Sequence, residues 1–130
     1  MIGVFTKTKE LLAPVSGRVI QSRQNGIVII PSDTRIYAPA AGVISVKSGK
    51  GTPKISFNAR MLELSGGFKT HIKNGSRVKA GDVIAAIDLD LLKNGGYMTK
   101  VFLMIQQNGT VKQVDSEWVR GGESIVFRLL

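Results

Sequence analysis

The chain has 130 residues, 43% of them hydrophobic and 21% charged, the size and balance of one compact domain over residues 1–130 whose core needs neither disulfide nor metal. It contains no cysteine, which excludes thiol nucleophiles, disulfide frameworks and thiolate metal sites, and no apolar run approaches the roughly 20 residues that cross a bilayer. Its 18 Lys and Arg against 9 Asp and Glu give a net charge of +9, so an anionic partner is expected.

Residues 1–10 lack the apolar stretch and small-residue cleavage site of a secretory signal, so a cytoplasmic protein without membrane insertion is expected. Along the chain the apolar runs are short and rich in β-branched residues: 19–20, 27–30, 43–46, 83–87, 101–105 and 125–130. Turn formers separate them, among them Asn25-Gly26, Pro31-Ser32-Asp33, Ser48-Gly49-Lys50-Gly51, Asn74-Gly75, Asn94-Gly95-Gly96 and Asn108-Gly109. Short strands at this spacing predict an all-β sandwich or distorted barrel. Only two stretches read as helical, 88–93 and 65–72. Asp88 and Asp90, two residues apart before Leu91-Leu92, read as a helix cap rather than a catalytic pair.

One segment recurs. Ala13-Pro14-Val15-Ser16-Gly17-Arg18-Val19-Ile20 is echoed by Ala38-Pro39-Ala40-Ala41-Gly42-Val43-Ile44-Ser45. In each, proline holds the chain extended and glycine allows the tight turn that a β-branched strand can follow. A third element, 75–84, sets glycine turns on both sides of a short strand. The expected core comprises Val19, Ile29, Val43, Phe57, Leu64, Val83, Ile87 and Phe127.

In order and spacing these segments resemble the glucose-type IIA domain of the bacterial sugar phosphotransferase system. Its members run APxxG, G-I-A-I-x-P, a second APxxG, V-x-L-x-G-x-G-F and G-x-x-V-K-x-G-D. The matching stretches here are 13–17, 26–31, 38–42, 62–68 (one residue shorter) and 75–82, with Gly121-Gly122-Glu123-Ser124 resembling the last hairpin. The resemblance covers almost the whole chain and implies an antiparallel β-sandwich or distorted barrel with a shallow active face. It further implies a phosphocarrier, in which a histidine imidazole takes a phosphoryl group from HPr and passes it to a IIB domain, with a second histidine beside it. Imidazole suits that work because its neutral nitrogen is nucleophilic near neutral pH.

The family segment V-H-F-G-I-D-T carries the acceptor. Aligned on Leu62-Glu63-Leu64, this chain reads Ile55-Ser56-Phe57-Asn58-Ala59-Arg60-Met61, so Ser56 takes the acceptor position. Upstream, where the second histidine belongs, stands the shortened connection Ser48-Gly49-Lys50-Gly51-Thr52-Pro53. His71, the one histidine, lies outside that strand. Ser56 has no base evident in the neighbouring sequence, so no phosphoryl relay and no enzymatic activity are expected.

Alternation from Lys54 to Met61 places Lys54, Ser56, Asn58 and Arg60 on one face and Ile55, Phe57, Ala59 and Met61 on the other. An acidic family position has become Arg60. With Arg23, Lys47, Lys50 and Lys69 as flanking cations, the polar face offers the cations and neutral hydrogen-bonding groups that phosphate requires. The expectation is a noncatalytic binding protein holding a small anion, such as a nucleotide or sugar phosphate. The alternatives are a regulatory docking module, with a protein partner at the former docking face, and a divergent phosphocarrier. Nucleic acid is disfavoured because 6% aromatic content and scattered cations supply neither stacking platforms nor a basic stripe. Ser48-Gly49-Lys50-Gly51-Thr52 lacks the spacing and following helix of a phosphate loop. One histidine and no cysteine predict no metal and no cofactor.

Overall fold

The computed structural model describes residues 9–23, 25–47, 53–57, 62–70, 72–94, 100–105, 111–113 and 116–129. In chain order the elements are β1 (Lys9–Leu12), β2 (Gly17–Arg23), β3 (Gly26–Pro31), β4 (Arg35–Tyr37), β5 (Gly42–Lys47), β6 (Lys54–Phe57), β7 (Leu62–Gly66), β8 (Phe68–Thr70), β9 (Arg77–Val78), β10 (Val83–Ile87), α1 (Leu89–Asn94), β11 (Val101–Ile105), β12 (Val111–Gln113), β13 (Trp118–Val119) and β14 (Ile125–Leu129). The largest sheet runs β13-β2-β3-β11-β7-β6-β5-β9, a second runs β4-β10-β8 and a third runs β1-β14-β12. Every pairing among them is antiparallel and no sheet closes into a barrel. The apolar runs of the sequence became strands, as expected for short β-branched stretches bounded by turn residues.

Both Ala-Pro corners lead into strands, and each is clasped by a glycine turn. Ala38 donates its N–H to the Asp82 carbonyl at 2.8 Å and accepts from Gly81 N–H at 2.9 Å. Ala13 donates to the Ser124 carbonyl and accepts from Gly122 N–H, both at 2.8 Å. The turn glycines share the same backbone, with φ of +90° at Gly81 and +74° at Gly122, a region that a side chain disfavours. The corners also hold each other, through Leu12 N–H to the Pro39 carbonyl and Tyr37 N–H to the Pro14 carbonyl. The echo in the sequence is therefore a pseudo-twofold pair of corners at the centre of the fold.

A single buried cluster joins the sheets, and Ile29, Phe57, Leu64, Ile87 and Phe127 lie within it. Three expected core residues differ. Val83 is 51% exposed, because β10 slips register between Val83 and Ala85 and turns Ile84 and Ala85 inward instead. Val43 is half-buried on the side opposite Ile44, which takes the core position. Val19 is partly buried and packs against the cluster. Around Val83 the consecutive apolar residues give alternation no polar member to set its phase, whereas in 43–46 Ser45 marks the outward side that Val43 shares.

The expected helix at 88–93 is α1, and Asp88 caps it by accepting from Asp90 N–H at 2.8 Å, satisfying an N–H that has no partner within the helix. The stretch 65–72, expected as a helix, instead supplies the end of β7 and all of β8. Phe68 lies buried there, and β8 pairs with β10 from Ala85↔Thr70 to Ile87↔Phe68. Long-range pairing overrides the local pattern at this length. Among the described residues no helix is long and apolar enough to cross a membrane.

Candidate functional site

β6 is the strand on which the candidate site was expected, and its alternation holds. Ile55 and Phe57 are buried, while Lys54 and Ser56 face away from the core. This outer face continues across the large sheet through its pairing. Ser56 stands directly opposite Ser45 of β5 on one side and Glu63 of β7 on the other, and Lys54 stands opposite Lys47 and Ser65. Glu63 in turn pairs with Met104, and Ser65 with Phe102.

The electrostatics of this patch follow from register. Two lysines directly across an antiparallel pair repel each other. Lys54 leans diagonally toward Glu63, with Nζ to Oε1 at 3.7 Å, but its side chain stays half exposed at 50%, and a pair so hydrated contributes little. Lys47 is exposed and takes part in no ion pair among the described residues. Glu63 was missed by the sequence reading. It is the carboxylate nearest Ser56 in register, and the signal that could have found it is the short connection between two alternating strands, which makes them an antiparallel pair.

The other candidate cations separate. Arg23 lies on the same rung as Ser56, linked through Gly26, Met104 and Glu63, yet it is four strand spacings away, or about 19 Å at the usual interstrand distance. It reaches the outer face because β2 slips register between Val19 and Gln21, which brings Gln21 and Arg23 outward together. There the Gln21 amide, once turned so that its oxygen faces the guanidinium, accepts from Arg23 at 2.8 Å. Lys69 belongs to the second sheet and lines an opening with Val46, whose partner Ile55 marks the inner side of β5. Neither Arg23 nor Lys69 shares the patch around Ser56. Lys50, Asn58, Arg60 and His71 lie outside the described residues.

The patch that does come together is Lys47, Lys54, Ser56 and Glu63. Chemically it can attract an anion and offer a hydroxyl to it. Beyond Glu63 the face turns apolar, with Val28, Phe102 and Met104 around a shallow depression of about 280 Å³ that Gln21 and Arg23 border. Among the described residues no group of three or more His, Asp or Glu could hold a metal ion.

No family model matches the chain. It is 27% identical, over an alignment of 150 residues covering 95% of this chain and 93% of the relative, to the PTS system glucose-specific EIIA component of Buchnera aphidicola subsp. Acyrthosiphon pisum. It is also 27% identical to the protein of the same name in Borreliella burgdorferi, over 88% of this chain and 74% of the relative. The lactose permease of Lactobacillus helveticus matches at 29% over 94% of this chain but only 23% of its own length. Among solved structures, glucose permease IIA from Mycoplasma capricolum superposes with a TM-score of 0.70 at 20% identity, covering 95% of this chain and 97% of that one. The last likeness is one of fold.

Proposed function

Taking the chain as a glucose-type IIA domain, which its relatives and its fold support, we propose that it works in the cytoplasm alongside a sugar phosphotransferase system as a noncatalytic binding protein. It holds a small phosphate-bearing anion, a nucleotide or sugar phosphate, on the outer face of β6. The observation that carries this reading is the apposition of Lys47 and Lys54 beside Ser56. An anion between the lysines relieves their repulsion, and the Ser56 hydroxyl donates to it. Ser56 stands where the family resemblance puts the phosphoryl-accepting histidine, so the bound anion occupies the place of the transferred group. Glu63 draws Lys54 partly away, which suits reversible binding better than tight capture.

The test is calorimetry with inorganic phosphate, glucose 6-phosphate and a panel of nucleotides. Replacing either lysine, by Lys47→Ala or Lys54→Ala, is expected to weaken binding about tenfold or more, the scale of one charge-assisted hydrogen bond. Lys47→Ala should also stabilise the ligand-free protein by about 0.2–1 kcal/mol in urea unfolding, because it removes a like-charge cross-strand pair. A panel in which no anion binds, or affinities unmoved by both substitutions, overturns the reading.

The cross-strand Glu63 favours a second reading, in which Ser56 accepts phosphate. Its oxygen would attack the phosphorus of a phosphorylated carrier, the new Oγ–P bond forming as the bond from phosphorus to the carrier's own donor atom breaks and the dephosphorylated carrier leaves with that electron pair, while the hydroxyl proton passes to the Glu63 carboxylate. Intact mass after incubation with phosphoenolpyruvate, enzyme I and HPr separates the two. No added phosphate is expected. An acid-stable addition lost in Ser56→Ala selects the second reading, and an acid-labile one lost in His71→Ala selects a histidine carrier instead.

A further inference from the structure

Away from the outer face, a cavity of about 500 Å³ opens between the end of β5 and β8. Its apolar wall is Val46, Pro53, Phe68 and Ile72, drawn from both sheets and the turn after β8. Among the described residues the polar part of the lining is Lys69, Thr70 and Asn74, and their hydrogen bonds bear on what could bind.

Thr70 has no proton left to donate to a ligand. Its hydroxyl donates to the Ile84 carbonyl at 2.6 Å and accepts from Ile72 N–H at 3.2 Å. Asn74 accepts from Val46 N–H through Oδ1 at 2.9 Å, an acceptance that leaves its amide NH₂ protons for a ligand. Lys69 is exposed and forms no ion pair among the described residues. Among the described lining residues, the polar hydrogens left uncommitted are therefore those of the Lys69 ammonium and the Asn74 amide, one of these groups cationic. Backbone bonds fix the walls. Gly75 N–H donates to the Ile44 carbonyl at 2.8 Å and Ile44 N–H to the Ser76 carbonyl at 3.0 Å, tying the 72–76 turn to β5. A half-open cleft of this volume, mostly apolar and with a few polar groups, falls within the size range of small-molecule sites.

We propose that this opening binds an amphipathic anion, a carboxylate, sulfonate or phosphate ester on an aromatic or branched aliphatic body. The body packs on Val46, Pro53, Phe68 and Ile72, and the anionic head takes its hydrogen bonds from the Lys69 ammonium and the Asn74 amide. The site is separate from Lys47 and Lys54, which point from the other side of the large sheet, so it stands whether or not the proposed phosphate face does.

The probe is 8-anilinonaphthalene-1-sulfonate, titrated onto the folded protein and followed by its fluorescence. Saturable binding of one equivalent is expected. Lys69→Glu should weaken it about tenfold or more, the scale for loss of a charge-assisted hydrogen bond. Asn74→Asp is the sharper variant, because it keeps an oxygen for Val46 N–H while replacing the free donor by a negative charge. It should weaken the dye by at least as much and leave the urea midpoint nearly unmoved. Lys47→Ala and Lys54→Ala should leave dye affinity unchanged, and excess inorganic phosphate should not displace the dye. Absence of saturable binding, affinity that survives both Lys69→Glu and Asn74→Asp, displacement by phosphate, or loss of binding in Met104→Ser on the outer face each overturn the proposal.

Discussion

Gly17→Ala is expected to lower stability by about 3 kcal/mol or more, the upper end of what forced overpacking costs. Gly17 opens β2 directly opposite Pro31. A methyl group there would collide with the Ile30 carbonyl oxygen and lie 2.9 Å from both the Ile30 carbonyl carbon and the Pro31 Cα. These are backbone atoms of a paired strand, and the proline ring restricts how far they can turn, so the strain cannot be shed by a side-chain rotation. Relief requires β2 and β3 to separate at the point where the first Ala-Pro corner enters the large sheet. Urea unfolding measures the loss directly, and a change below about 1 kcal/mol, within the ordinary range for point substitutions, would mean that the hairpin parts far more easily than its pairing implies.

Phe57→Ala should cost about 3–5 kcal/mol, as large-to-small changes at a buried phenylalanine do. Its ring is 1% exposed, and its backbone neighbours across the sheet are Ile44 and Leu62. The adjacent residue provides the contrast. Ser56→Ala, one position earlier on the opposite face of β6, is expected to change stability by no more than about 0.5 kcal/mol. Thermal melts of the two variants side by side test the phasing of the strand, and equal losses would show that Ser56 is not on the outer face. Phosphate binding should fail in Phe57→Ala too, since Lys54 and Ser56 are positioned by the strand that Phe57 anchors.

What could be read from the residues was local. Pro14 and Pro39 with Gly17 and Gly42 marked both corners, and the polar-apolar alternation of Lys54-Ile55-Ser56-Phe57 assigned the faces of β6 correctly. The misreadings share one physical origin, which is that register is a property of two strands at once. Nothing near Val83 or Arg23 announces the slips in β10 and β2 that turn one to solvent and bring the other to the outer face. Spacing along the chain also gives no measure of spacing across a sheet. Arg23 and Lys69 looked like flanking cations until the strand order placed one about 19 Å along the large sheet by strand spacing and the other on a different sheet. Glu63 shows the converse, seven residues after Ser56 and yet directly opposite it.

The corners impose an order on how the chain can fold. The first of them takes its hydrogen bonds from Gly122 and Ser124, and β1 beside it pairs with β14 from Lys9↔Leu129 onward. An elongating polypeptide can close the β2–β3 and β6–β7 pairs within a short length of chain, but the 13–17 corner and β1 must wait for nearly all of it to be synthesised. Chains whose contacts join such distant residues fold in about milliseconds to seconds rather than microseconds, and a stopped-flow refolding trace should show that slow range. Until then Leu11, Ala13 and Val15, all wholly buried at the end, are exposed to water and to one another's copies, so the interval before the last strand arrives is when this protein is most open to misassociation.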